Sequence, residues 1–236
     1  MVEWKRKWIE RTYQPGAEPE AAHARLSTTL LRLIQEEPLC ERTVLDIGCG
    51  NGRLTFALAD QVGRIIGIDW SEQVIRQAEQ RARTLGLDQM TFVCGDAEQT
   101  DYSELGPIDL VVAHLCMSDE IIRRAAAVLA PGRCIVFSTL HRDQWKESGR
   151  SSRFAYGEQD VETALTTAGF EPVYLGSEHE TLSFTAAADA LAHMEASDLV
   201  GKWKADSRWE GFLAYLDRGG RALTVRARVT VKARRR

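Results

Sequence analysis

Short apolar runs alternate with stretches of helical period along most of this chain. Residues 43–47, 64–68, 90–94, 108–113 and 134–138 are short, mostly apolar runs, which predict buried strands. Helical periods fall between them. Over 53–60, Leu54, Ala57 and Leu58 point inward; over 71–86, Val74, Ile75, Ala78, Ala82 and Leu85 share a face. Ser71 and Ser118 stand where helix N-caps are expected, and Gly86 stands at a C-terminal position. A helix from Ser118 is expected to stop at Pro131-Gly132, and one over 158–168 at Gly169, before a strand near 172–175. Strands alternating with helices mean βαβ units and a mostly parallel sheet with right-handed crossovers.

The two ends depart from this rhythm. Over 20–37, Leu26, Leu30, Leu33 and Ile34 recur at helical spacing until Pro38. The aromatic segment 1–16, with Trp4, Trp8 and Tyr13, lies outside the sheet pattern and breaks at Pro15-Gly16. Residues 1–38 are therefore expected to form a helical lid or cap on a domain spanning 39–236. Residues 222–232 alternate apolar with Thr, Arg or Lys, which predicts a half-buried strand whose basic residues face water. About forty residues, 183–220, separate this strand from the previous one; they are helical in composition and rich in aromatics. An insertion of that kind commonly covers a binding site.

Composition narrows the class. The chain has 236 residues, 44% hydrophobic and 27% charged, which suits a folded globular protein. No apolar run reaches the roughly 18 residues of a membrane span, and no secretory h-region opens the sequence. Net charge is −4, which disfavours broad nucleic-acid binding, although residues 221–236 hold seven basic residues and no acidic one. Five cysteines without a CxxC pair suit neither a disulfide framework nor a zinc site, and no metal is expected. A cytoplasmic location is the expectation.

The chemistry concentrates where the first parallel strand meets a helix, in Asp46-Ile-Gly-Cys-Gly-Asn-Gly52. Gly48, Gly50 and Gly52 allow a tight turn and close approach of a ligand. In an open α/β sheet, ligands bind outside the carboxyl ends of the strands. A nicotinamide-dependent oxidoreductase would need G-x-G-x-x-G, but Arg53 occupies the last position. Asp46 would repel a pyrophosphate and suit a cationic ligand carrying an ammonium near a sulfonium. Asp69 ends the second strand, 23 residues on, where a carboxylate can accept both hydroxyls of a ribose. Asp96, after the third, is placed to accept from an exocyclic amine such as that of adenine.

The ordered set DIGCGNG, GIDWS, CGDA, PIDLVVAH and LAPGRCIVFST, over about residues 43–140, resembles the motif series of class I S-adenosylmethionine (SAM)-dependent methyltransferases. The resemblance implies an α/β, seven-stranded, mostly parallel Rossmann-like sheet with helices on both faces and an antiparallel last strand. It implies that Asp46, Gly48, Cys49, Gly50 and Gly52 hold the methionine part of SAM. Asp69 would take the ribose, Trp70 would lie against the adenine, and Asp96 and Ala97 would read its edge. Ala113 and His114 would face the sulfonium and the acceptor. The product would be S-adenosylhomocysteine.

Transfer from a sulfonium is an in-line displacement that needs positioning, and a base only when the acceptor is protonated. His114 is the candidate base. Tyr13, His141, Arg153 and Tyr156 are candidates for the acceptor pocket. The stretch after the fourth strand, Ala113-His-Leu-Cys-Met117, lacks the Asn/Asp-Pro-Pro-aromatic segment of nucleic-acid amine methylation, and Cys116 has no preceding proline as a pyrimidine nucleophile would. Phe137-Ser-Thr-Leu140, Ala168-Gly-Phe170 and Leu182-Ser-Phe184 are faintly similar to the malonyl-carrier-protein carboxyl methyltransferases of biotin synthesis. A carboxylate acceptor would want a cationic clamp, for which Arg142, Arg150 and Arg153 are available. The leading expectation is methylation of an oxygen on a small molecule or carrier-bound acyl group. The alternatives are an RNA or protein methyltransferase docking through the basic tail, and a catalytically silent SAM-binding subunit.

Overall fold

The computed structural model describes residues 5–13 and 26–236. Among them a nine-stranded sheet forms the centre, built from β1 (Lys5–Thr12), β2 (Thr43–Ile47), β3 (Arg64–Asp69), β4 (Met90–Cys94), β5 (Leu110–His114), β6 (Cys134–His141), β7 (Ala155–Tyr156), β8 (Phe170–Ser183) and β9 (Ala222–Arg235). Its order is β1-β8-β9-β6-β5-β2-β3-β4, with β7 beside β6. Only β9 runs antiparallel to its neighbours. The mostly parallel α/β sheet and its antiparallel last strand agree with the expectation, but the strand count is nine rather than seven. The two extra strands are β1 on the outer edge and the two-residue β7.

Strand order reverses between β2 and β5. From β2 the chain proceeds outward through β3 and β4; from β5 it proceeds the other way to β6. Such a switch point opens a crevice at the carboxyl ends of the strands.

Helices cover both faces. On one face Leu45, Ile47, Val111, Ala113, Ile135 and Phe137 pack with Ile121, Ile122 and Ala125 of α4 (Asp119–Val128) and with Val161 and Leu165 of α5 (Glu158–Thr167). On the other, Val44, Val112 and Val136 meet α1 (Thr28–Gln35), α2 (Arg53–Ala57) and α3 (Glu72–Leu85). Each fully buried aliphatic side chain contributes roughly 1.5–3 kcal/mol. Ser27 and Ser118 cap α1 and α4 through their hydroxyls, and Gly86 ends α3 in the left-handed region. Ser71 precedes α3 but its hydroxyl makes no cap bond; its amide instead donates to Asp69 Oδ1.

Three expectations about the ends change. Residues 5–12 are not helical: they form β1, parallel to β8, and their mostly polar sequence fits an exposed sheet edge. The helix expected over 20–37 is ordered as Thr28–Gln35, while Trp4, Pro15, Gly16 and the start of that helix lie outside the described residues. The basic strand β9 does not turn a charged face to water. It sits inside the sheet, its edges paired with β6 and β8, and consecutive residues 227–233 are buried, so both its faces are covered and Arg228 and Lys232 are buried. Lys232 Nζ reaches Glu37 at 2.7 Å, Glu36 at 3.1 Å and the Leu33 carbonyl at 3.1 Å. Burial pulls the Lys232 ammonium down, but these carboxylates outweigh it and leave it raised.

Between β8 and β9 stand α6 (Ala187–Glu195), α7 (Val200–Ala205) and α8 (Arg208–Asp217). Their own core centres on Trp203, Phe212, Met194 and Ala190, closed by Leu223 of β9.

Candidate functional site

The loop after β2 is shaped by three glycines in the left-handed region: Gly48 at φ 65°, Gly50 at 54° and Gly52 at 88°. A Cβ at Gly48 would lie 2.4 Å from Cys116 Cβ, so only glycine lets the two strand-end loops meet. A Cβ at Gly50 would meet open space. Asp69 ties the second strand to this loop: its Oδ2 accepts from the Gly50 amide at 3.0 Å and its Oδ1 from Ser71 at 2.9 Å.

A cavity of about 670 Å³ opens at the switch point, within the size range of small-molecule sites. Gly48 lines it with Ile68 and Asp69 at the end of β3 and Trp70 just after it. Gly95, Asp96, Ala97 and Glu98 follow from β4, and His114, Leu115 and Cys116 from β5. Arg153 and Phe154 line it too, with Arg153 Nη1 paired to Glu98 at 3.3 Å. Trp70 is 80% exposed beside Asp69, a flat apolar face open to a stacking partner. Leu115 adopts φ 67°, an unfavourable conformation for a branched side chain, and its amide is held by the Ser138 carbonyl at 2.7 Å. That turn lets His114 and Cys116 both line the cavity.

The acidic residues divide in role. Asp69 and Asp96 line the cavity. Asp96 also anchors its own turn, accepting from the Glu98 amide and from Gln99, each at 2.9 Å. Asp46, expected to meet the methionine part of the ligand, is not on the wall: it is 1% exposed beneath the loop and accepts from Thr55 Oγ1 at 2.6 Å. Burial raises its pKa to about 7, against the bonds from Thr55. Gly52 and Ala113 are buried too, shaping the walls from behind. Burial raises the Cys116 thiol to about 11 and the Cys49 thiol further, so neither is a ready nucleophile.

The acceptor candidates scatter. Arg153 lines the cavity. Tyr13 does not: it packs on Phe184 and His193 against the helical insertion. Tyr156 is buried with its hydroxyl donated to Asp119 at 2.6 Å, on the wall of a second, open cavity beyond Arg153. His141 lies buried against Glu158 and His179, away from the cavity. Glu98, Leu115 and Phe154 are site residues that pattern reasoning missed. Glu98 stands two residues after Asp96, where a turn carried no further signal, and Phe154 sits in an aperiodic loop.

The cavity fits SAM on its own features: an acidic wall for a cationic ligand, a strand-end carboxylate for a ribose, an exposed indole for a base and a Cβ-free loop for close approach. Asp69, Trp70, Asp96 and the loop amides would hold it.

Comparison with known proteins agrees. A family model described as a methyltransferase domain matches residues 41–195. The ubiquinone biosynthesis O-methyltransferase of Methylococcus capsulatus is 31% identical over 138 residues, covering 56% of this chain and 57% of that protein. The chain thus spans a little over half the length of the curated relatives it matches. The fold is shared with magnesium protoporphyrin IX methyltransferase from Synechocystis PCC 6803 solved with bound SAM, at TM-score 0.56 and 18% identity over 89% of this chain and 77% of that one. It is shared as well with the [4+2]-cyclase SpnF, at TM-score 0.60 and 23% identity over 88% and 79%. With its matching domain model, its switch-point cavity and its glycine loop, the chain belongs to the methyltransferase domain family and has the class I fold.

Proposed function

We propose that this enzyme methylates a hydroxyl oxygen of a small molecule, with His114 as the base. The observation that carries the reading is the position of His114, at the end of β5 and on the wall of the same cavity that Arg153 and Phe154 line. SAM supplies a methyl group already activated on a sulfonium. The residues of this chain orient the acceptor for in-line approach, and His114 takes the hydroxyl proton as the new bond forms. Phe154 and the Arg153 guanidinium stacked 4.0 Å over its ring, itself paired to Glu98, would contact the acceptor body. The O-methyltransferase named among the relatives supports oxygen as the acceptor atom.

The carboxylate reading is less well supported, because the arginine clamp it needs does not assemble. Arg142 pairs with Asp160 at 3.0 Å and Arg150 donates to the Asp206 carbonyl at 2.8 Å, leaving Arg153 alone of the three on the cavity wall. Docking of RNA through the basic tail has little support either, since Lys232, Arg234 and Arg235 are engaged by the chain's own carboxylates and carbonyls.

The test is transfer of label from methyl-labelled SAM to a cell extract separated into metabolites, carrier protein and RNA. Label in the metabolite fraction that survives mild base but is released as methyl iodide by hot hydriodic acid supports hydroxyl methylation. Release as methanol moves the acceptor to a carboxylate. Label in RNA, or in no fraction, contradicts the proposal.

A further inference from the structure

A cluster of titratable side chains, His141, Asp143 and His179, lies outside the lining of the switch-point cavity. His141 ends β6 and His179 lies in β8, with β9 between these strands. His179 pairs with Ala227 of β9, and Leu140 pairs with Arg228, so His141 comes level with the same small residue. Over Ala227 the two imidazoles meet: His141 Nδ1 and His179 Nε2 are 3.0 Å apart. Asp143, on the loop after β6, brings Oδ2 to 3.7 Å from the first nitrogen and 3.4 Å from the second.

We propose that His141 Nδ1, His179 Nε2 and Asp143 Oδ2 bind one divalent first-row transition-metal ion of the zinc class. The three atoms form a triangle with edges of 3.0, 3.4 and 3.7 Å. Metal–ligand bonds of about 2.0–2.1 Å in tetrahedral geometry need a face with edges of about 3.3–3.4 Å. Two imidazoles and a carboxylate form a ligand set for such ions, with a fourth position left for water or a ligand.

The surroundings are those of a metal site. Glu158 Oε2 lies 3.2 Å from His141 Nε2, which assigns that ring proton to Nε2 and leaves the Nδ1 lone pair turned toward His179 and Asp143. Glu158 is itself held by the Ser177 hydroxyl at 2.8 Å. A carboxylate behind a ligating histidine fixes its tautomer and raises its basicity. His179 is fully buried, with Trp8 stacked flat on it at 4.4 Å. Binding would replace contacts these atoms now make, among them the His141–His179 hydrogen bond at 3.0 Å, the Asp143 amide 3.0 Å from His141 Nδ1, and Lys146 Nζ 3.9 Å from Asp143 Oδ2. The ion takes His179 with its ring proton on Nδ1.

The test titrates Zn²⁺ into chelator-treated, untagged protein by calorimetry, with Co²⁺ absorption as a spectroscopic readout. The wild type should bind one ion per chain and give ligand-field bands of a low-coordinate site. Asp143→Asn and His179→Gln should each weaken Zn²⁺ by about 100-fold or more, and Glu158→Gln by about 10- to 100-fold. Asp143→Asn changes a part-exposed loop residue, and its circular dichroism should match the wild type; it decides the matter should the buried His179 variant fail to fold. No saturable Zn²⁺ binding by the wild type, or unchanged affinity in a folded Asp143→Asn, overturns the proposal. Neither readout depends on methyl transfer.

Discussion

The carboxylate of Asp69 accepts the amide of Gly50 at 3.0 Å, across 19 positions of sequence, and so locks the loop after β2 to the end of β3. One residue thereby shapes the cradle and lines it. The same carboxylate that would take the ribose holds the glycine loop against which the ligand would lie.

Asp46 supports the loop from beneath, and its titration should show in folding stability. Burial raises its pKa from 3.8 to about 7, so between those values the folded chain keeps a proton the unfolded chain has lost. Its stabilising share is full below the unfolded value and is lost as pH rises through about 7. Asp46→Asn should hold its denaturation midpoint where the wild type declines, between about pH 4 and 7. Equal pH dependence in both proteins contradicts this reading.

His114→Asn should lower kcat by about 100-fold or more toward the acceptor identified by labelling, and remove the rising limb of the pH–rate profile. Affinity for S-adenosylhomocysteine should stay within a few-fold. An unchanged kcat and profile would leave His114 as a wall residue only.

Lys232 joins the last strand to the first helix region through Glu36 and Glu37. Burial raises Glu37, but Lys232 and Arg234 outweigh it and hold its carboxyl below the ordinary range. Lys232→Met should cost about 1–3 kcal/mol of folding stability by leaving that carboxylate under-paired. Denaturant titration near neutral pH measures it; a midpoint equal to the wild type contradicts a structural role.

Much of the sheet was legible because its signals are local. Apolar runs, capping serines and the Gly48–Gly50–Gly52 turn each act within a few residues, and they placed β2 to β6 and part of the cavity lining. The tail was misread because alternation of Val231 and Ala233 with Lys232 and Arg234 looks the same at a sheet edge and between two strands. What buries Lys232 is a pair of carboxylates nearly two hundred positions away. Residues 5–12 carried little apolar pattern because their strand is an edge. Asp46 looked like a ligand-binding residue, since nothing local tells a carboxylate above the loop from one beneath it. The His141–His179 pair carried no spacing signature, because it forms across an intervening strand.

The most direct test of the cavity assignment is calorimetric titration of SAM and S-adenosylhomocysteine into the wild type, Asp69→Ala and Gly48→Val. The wild type should bind one equivalent of either. Asp69→Ala should lose about 100-fold or more in affinity, through two charge-assisted bonds within the protein and those to the ribose. Gly48→Val, with its clash at Cys116 and its positive φ, should abolish binding. Affinity in Asp69→Ala equal to the wild type, with both proteins folded, would contradict the assignment of this cavity to SAM.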